Sequence, residues 1–314
     1  MTITGQCNFD IPRYDCTLET CCLAQSSFLY IPSFGGNLFF TIFFAAAIIP
    51  QLIIGIWYRT WGFAVGMFCG LLLEVIGYVA RVMLHGSPFD ANPFLIYLIC
   101  LTIAPVFITA AIYLCLTRII VIYGEHNSRI RPSTIAIIFM TSDFLSLVLQ
   151  AIGGAIADTA DDHTTGRHGI DIMIAGLMLQ VISLALFLSF VAHFTWRCSR
   201  GVLNQDPEKV RVRQRSAFRV FMACLLLATV AVLVRSIFRV AELWEGFRGK
   251  LWNNETDFLV LDGAMMALAT ILLTAFHPGP AFGGQWSAAN WTFKSKKPKT
   301  TSEIDLATHD AAKY

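Results

Sequence analysis

Glu74 and Arg81 stand seven residues apart inside the apolar stretch 62–83. Seven residues is close to two helical turns, so both charges share one helix face. Gly62, Gly66 and Gly70 climb to Glu74 on the same stripe, where glycine lets a second helix come close. A charge at the centre of a bilayer costs roughly 2.5–3.5 kcal/mol on insertion scales, so such a pair points at a partner or a cavity. Other stretches repeat the pattern. Asp143, Ser146, Gln150 and Gly153-Gly154 step by three or four, as do Gly176, Gln180 and Ser183. Arg235, Arg239 and Glu242 fall at i, i+4 and i+7, and Asp262 lies about one and a half turns into the last apolar run. The chemistry open to this set is electrostatic. Carboxylates hold a cationic headgroup, arginines hold phosphate or keep the carboxylates ionised, and apolar helix faces take acyl or sterol-like tails. A purely structural reading stands beside it, in which pairs such as Glu74–Arg81 or Arg239–Asp262 fix the bundle's register.

The elements that position these residues follow from hydropathy. The 314-residue chain is 56% hydrophobic and 14% charged, against about 25% charged in soluble domains. Apolar runs at 37–56, 62–83, 93–116, 133–157, 170–194, 218–240 and 257–277 each have about 20 residues or more, enough to cross a roughly 30 Å hydrocarbon core. The expected fold is an all-α, seven-helix transmembrane bundle over 37–280. An exterior, cysteine-containing segment (1–36) precedes it, and a disordered tail (281–314) follows. Pro50 and Pro105 predict kinks, with Gln51 bonding the carbonyl that Pro50 frees. No basic n-region with an apolar h-region opens the chain, so the first span acts as its own signal.

Lys and Arg set the expected orientation. Fifteen fall in 57–61, 117–132, 195–217 and 278–314, against four in the N-terminal segment and the alternate loops. That bias predicts an exterior N-terminus and a cytosolic C-terminus. Glu74 and Asp143 then lie near mid-membrane, and Arg81, Gln150, Gln180, Arg235, Arg239, Glu242 and Asp262 lie in the outer half. Charges of both signs at one depth on several helices predict a polar cavity or ion-pair network on the exterior side. Cys7, Cys16, Cys21 and Cys22 would sit in an oxidising compartment and are candidates for disulfides, with three full connectivities open. Asn254-Glu255-Thr256 is an exterior glycosylation sequon. Arg197, Arg200, Lys209, Arg211, Arg213 and Arg215 form a cytosolic basic segment suited to anionic lipid headgroups.

Some classes find no support. There is no phosphate loop, no His-Glu-x-x-His and no Gly-x-Ser-x-Gly, so neither ATP-driven nor hydrolytic chemistry is expected. No Cys/His spacing suggests zinc; no metal, cofactor, catalytic residue or nucleic-acid partner is expected. No lysine lies in any span, which excludes a retinal Schiff base. A seven-helix receptor shares the helix count and orientation. The first expectation is a non-enzymatic translocase of amphiphilic lipids. The alternative is a lipid sensor signalling through the basic segment 195–217.

Tyr30-x-Pro32-Ser33 with Asn37, Glu74-x-x-Gly77-Tyr78-x-x-Arg81, and Ala104-Pro105-x-Phe107 with Tyr113 and Arg118 form an ordered series. It continues with Asp143-x-x-Ser146-x-x-x-Gln150-x-x-Gly153-Gly154, Gly176-x-x-x-Gln180, Arg235-x-x-Phe238-Arg239-x-x-Glu242 and His277-Pro278-Gly279. Over roughly 28–280 the chain resembles the fungal RTA-like, lipid-translocating exporter family. The resemblance implies a membrane protein, often of the plasma membrane. It also implies a link to toxic amphiphiles such as aminosterols, to sphingoid long-chain bases or, in one branch, to porphyrins. The candidate ligand cavity is Glu74, Tyr78, Arg81, Asp143, Gln150, Gln180, Arg235, Arg239, Glu242 and Asp262. Glu74 and Asp143 would contact the headgroup.

Overall fold

The structure, a computed structural model, describes residues 16–17, 20–26, 28–123, 131–159, 163–200, 207–283 and 286. Six long helices come first: α1 (Phe34–Trp57), α2 (Trp61–Gly86), α3 (Ala91–Tyr123), α4 (Pro132–Thr159), α5 (His163–Arg200) and, after the short α6 (Pro207–Gln214), α7 (Ser216–Trp244). The seventh span is composite. Its first turn is α8 (Glu255–Asp257), its middle is a π-helical stretch (Phe258–Ala264), and it ends as α9 (Met265–Ala275). A last short helix, α10 (Pro278–Ala281), follows. Seven helices are thus long and apolar enough to cross a membrane, and no strand occurs among the described residues. The chain is an integral membrane protein.

Local chemistry starts and stops these helices. The Ser33 side chain accepts from Gly36 N at 3.2 Å and caps α1, meeting one of the unpaired N–H groups at a helix start. Pro50 and Pro105 both lie inside continuous helices. The Gln51 side-chain amide does not serve the carbonyl freed by Pro50: it is buried, and neither its nitrogen nor its oxygen has a partner. Several helices outrun the apolar stretches. The acidic segment 158–169 reads as a loop in sequence, yet α5 already begins at His163. No proline lies between His163 and Asp171, and Arg167 pairs with Asp171 one turn on at 3.2 Å, a favourable i,i+4 arrangement.

Neighbour follows neighbour around the bundle in the order α1, α2, α3, α4, α5, α7, α9 and back to α1, with α3 also meeting α7 across the middle. Close backbone approach sets two of these contacts. A Cβ on Gly70 of α2 would come within 2.6 Å of Ile108 on α3, and one on Gly153 of α4 within 2.5 Å of the Met173 nitrogen on α5. Outward positions such as Phe39, Ile42, Phe144 and Leu186 are exposed, as a lipid-facing surface requires. We call the end bearing residues 16–33 the near face and the other the far face.

The near face is closed by a strap. Residues 26 and 28–33 cross it, with Ser26 Oγ donating to Pro88 O (2.6 Å), Leu29 N to Asn253 Oδ1 (2.8 Å) and Ser33 N to Glu255 Oε1 (2.5 Å). Phe28 stacks on Trp252, with ring centroids 5.7 Å apart. Ahead of the strap, Cys16 and Cys21 are joined by a disulfide, and Cys22 is also disulfide-bonded; Cys7 lies outside the described residues. At the far face the chain doubles back. Phe282 packs edge-on against Phe218 and Phe221, and Trp286 lies under the Arg118 guanidinium. The segment expected to be disordered from 281 therefore begins with packed residues; 287–314 lie outside the described residues.

Candidate functional site

Ten residues were singled out by depth and spacing, and the structure divides them into two groups. The first is a charged cluster towards the near face, built from α2, α7 and the π-helical stretch. Glu74, Arg81, Arg235, Arg239, Glu242 and Asp262 are all buried. Their pairing differs from the pairs suggested by sequence. Arg235 Nε lies 3.0 Å from Asp262 Oδ1 and Arg239 Nη1 lies 2.6 Å from Glu242 Oε2. Arg235 Nη2 also donates to the Leu101 carbonyl. The wide π turn is what sets Asp262 against Arg235, and π segments often mark functional sites. A Cβ on the next residue, Gly263, would fall 2.7 Å from Tyr78 Oη, so the turn presses directly onto α2.

Among the described residues Arg81 has no ion-pair partner. Its Nε donates to Asn37 Oδ1 at 2.9 Å and its Nη2 to Tyr30 Oη at 3.1 Å. Three rings enclose the guanidinium, with centroids 3.9 Å (Phe258), 4.9 Å (Tyr97) and 5.4 Å (Phe28) away. Such cation–π contacts contribute about 2 kcal/mol or more when desolvated. Burial pushes the Tyr30 hydroxyl above its usual pKa, and the Arg81 charge opposes that rise. Glu74 is the counterpart: it is 0% exposed, and neither carboxylate oxygen has a hydrogen-bond partner. Tyr78, one turn above it, stacks on Phe40 and Phe44, and its hydroxyl is likewise unpartnered.

The second group joins α3, α4 and α5. Asp143 Oδ2 accepts from Thr109 Oγ1 (3.1 Å) and Tyr113 Oη (2.9 Å), while Oδ1 has no partner. Above it, Ser146 Oγ donates to the Gly176 carbonyl (2.6 Å), and Gln150 Nε2 donates to Ser146 Oγ (2.7 Å) and Gln180 Oε1 (3.5 Å). A groove of about 350 Å³ runs beside this layer. Leu98, Ile99 and Thr102 of α3 line one wall; Leu147, Gln150 and Gly154 of α4 line the other. Ile99 and Ile152 beside it are exposed to the lipid side.

The ten residues therefore do not form one cavity. α3 stands between the groups: Ala104 and Ile108 meet α2 at Gly70, whereas Thr109 and Tyr113 reach Asp143 on α4. The charged cluster is packed shut, and the groove belongs to the neutral layer. Sequence reasoning left out the strap residue Phe28, the ring of Trp252 and the Glu255 carboxylate, because their role depends on contacts more than 200 residues apart. Tyr30 and Asn37 did carry a signal, as members of the ordered motif series. Outside both groups, Asn254 is exposed and its side chain is engaged locally, accepting from Thr256 N (3.2 Å) and donating to Asp257 (2.7 Å). Arg211 and Arg215 are exposed at the far face, and Arg200 covers the Trp196 ring at 4.7 Å. Arg213 stands 5.9 Å from Tyr123, and Arg197 is half-buried; the Lys209 side chain lies outside the described residues.

A seven-helix membrane protein with buried charge on its second, sixth and seventh spans is the class that fold and site define. Comparison with known proteins gives the family. The model of the RTA1 like protein family matches residues 67–285, and the chain belongs to that family. It is 35% identical over 276 residues to the sphingoid long-chain base transporter RSB1 of Saccharomyces cerevisiae, covering 79% of this chain and 72% of the relative. It is 30% identical over 217 residues to that organism's protoporphyrin uptake protein 1, covering 69% and 68%. Against protein RTM1 of Saccharomyces cerevisiae the figures are 29% over 218 residues, 69% and 67%. No solved structure matches the chain.

Proposed function

We propose that this protein is a lipid transporter that moves cationic amphiphiles of the sphingoid-base type across the plasma membrane, without ATP. The near face is exterior and the far face cytosolic. The observation that carries the reading is Glu74, a buried carboxylate at mid-bundle with four acceptor sites and no donor from the protein. An ammonium headgroup supplies the donors it lacks, in a setting where charge-assisted hydrogen bonds are strong. Across α3 from Glu74, the 350 Å³ groove facing the lipid is sized for part of the apolar tail of a lipid held at the neutral layer, where Asp143 Oδ1 offers a second acceptor. The transporter name of the 35% identical relative points to the same substrate class. For a headgroup to reach Glu74, the strap and the Arg235–Asp262 pair must part. The far-face arginines Arg197, Arg200, Arg211, Arg213 and Arg215 rest on anionic headgroups.

The test is transbilayer movement of a labelled sphingoid base in liposomes holding the purified protein, with Glu74→Gln alongside. Movement faster than in protein-free liposomes, and slowed about tenfold or more by the substitution, is the expected result. Binding of the lipid without any movement would replace the transporter with a sensor.

A further inference from the structure

Buried polar atoms without a hydrogen-bond partner recur down α1, α2, the seventh span and the turn that follows it. They include Asp262 Oδ2, both oxygens of Glu74, Thr270 Oγ1, Thr274 Oγ1, both amide atoms of Gln51, and His277 Nε2. Contacts between the helices put these atoms in order. A Cβ on Gly36 would touch Leu259, one on Gly263 would touch Phe40, and one on Gly279 would touch Tyr58. A residue of α1 is therefore level with the residue about 222 positions later in the seventh span. α2 runs the opposite way, with Gly55 level with Ala64 and Phe44 beside Tyr78. In that register Gln51 is level with Thr274, and Glu74 lies between Asp262 and Thr270.

With a rise of 1.5 Å per residue, successive groups from Asp262 through Glu74, Thr270 and the Gln51–Thr274 level to His277 are offset by about 4.5–7.5 Å along the bundle axis. The whole file covers roughly 22 Å of a hydrocarbon core about 30 Å thick. Each such atom, left dry, forfeits the hydrogen bond it had to water in the unfolded chain. One or two waters between neighbours restore it, because every gap is polar on both sides. At the far end His277 Nδ1 accepts from Gly279 N at 3.0 Å, so the neutral ring carries its proton on Nε2, the unpartnered atom. Burial lowers its pKa to about 4, which keeps the ring neutral and donating at cytosolic pH.

We infer that this file is a hydrated proton pathway from the far face to Glu74, and that Glu74 exchanges its proton for the transported cation. The inference deepens the transporter reading and rests on it for the cation exchanged. One proton leaves the carboxyl along the water file and exits to solvent past His277, whose Nε2–H orients the last water and does not itself take up the proton, as one cationic headgroup arrives, so the charge of the cluster is unchanged. The charged and titratable groups that bear on Glu74 are Arg235 and Arg239 of α7, Asp262 of the seventh span, Tyr78 of its own helix and Cys100 of α3. α1 and α9 carry no titratable side chain. The near-face end of the file is stopped by the Arg235–Asp262 pair and the Arg81 cage, so only the far half is open to protons in this conformation.

The experiment uses the full protein in liposomes at clamped zero potential, with a pH dye inside. The probe is a labelled sphingoid base whose amine is converted to a guanidinium, which cannot carry protons by itself because it stays charged, yet keeps N–H groups to donate to Glu74. Probe movement should drive an opposing pH change. Gln51→Leu combined with Thr270→Val should slow both fluxes about tenfold while the protein melts no lower than the parent, because the changes remove unpartnered polar atoms. Probe movement without a pH change would overturn the proton exchange and leave the lipid transporter standing. Proton flux without probe movement would keep the pathway and overturn the lipid reading. Neither flux above protein-free liposomes would overturn both.

Discussion

The charged cluster and the neutral layer occupy the same bundle but solve burial differently. The cluster around Arg81, Arg235 and Arg239 holds three arginines against Glu74, Glu242 and Asp262, and pairs only two of each. The layer around Asp143 has one carboxylate, held by hydroxyls, and links its other members by neutral hydrogen bonds. Ion pairs in hydrocarbon are strongly interdependent, because removing one partner strands the other. Neutral networks lose only a hydrogen bond's worth. The difference makes the cluster the more interdependent of the two, with Glu74 its carboxylate left without a hydrogen-bond partner among the described residues. In the proposed transporter the neutral layer serves as a wall beside which a lipid slides.

The largest effect that would break this contrast is Asp262→Ala. It strands Arg235, and a cost of about 3–5 kcal/mol is expected, read as loss of monodisperse protein in detergent. Arg235→Met with Asp262→Leu should recover most of that loss; no recovery would mean the pair does more than neutralise itself. Next comes Arg81→Lys. An ammonium cannot reach Asn37 and Tyr30 together while lying flat on Phe258. A loss of about 2 kcal/mol is expected from the stacking and the fork geometry, measured by thermal unfolding, and an unchanged melting temperature would remove the cage from the account. Tyr113→Phe takes one donor from Asp143 and should cost about 1.5 kcal/mol. If it cost as much as Asp262→Ala, the two regions would not differ in kind.

The smallest effect is in pH. His277 has its pKa lowered to about 4 by burial, against an unfolded value of about 6.5. Between those values the unfolded chain binds the proton and the folded chain does not, so stability is full above about pH 6.5 and falls towards pH 4. His277→Asn keeps an acceptor for Gly279 N and removes the titration. Its melting temperature should depend less on pH in that window, and an identical pH slope would show that His277 is not the group responsible.

The helices were legible because twenty-residue apolar runs have one solution in a bilayer, and Glu74, Arg81, Arg235 and Asp262 were legible as buried because depth follows from span boundaries. Their pairing was not. It turns on the π stretch at Phe258–Ala264, and Phe258-Leu259-Val260-Leu261 reads as ordinary helix in sequence. The separation of Asp143 from Glu74 was hidden for another reason: depth is one coordinate, and the side of α3 on which each falls is another. Thr270 and Thr274 gave no signal, since threonine in a helix normally satisfies itself on the preceding turn, and Gln51 reads in sequence as the partner of the carbonyl that Pro50 frees. The strap escaped because its bonds reach from Leu29 to Asn253 and from Ser33 to Glu255.

That strap and the ring's closing seam also impose an order in time. α1 is the least enclosed of the seven spans, with 22% of its core window buried, and its closing neighbour is α9. Asn37 waits for Glu255, and Arg235 waits for Asp262. At about 5–20 residues per second, the ribosome delivers those partners roughly 10–40 s after α1 has emerged. Asn37 waits through that whole interval, Arg235 for only about its last 1–5 s, and the last span to be made is the one that locks the first.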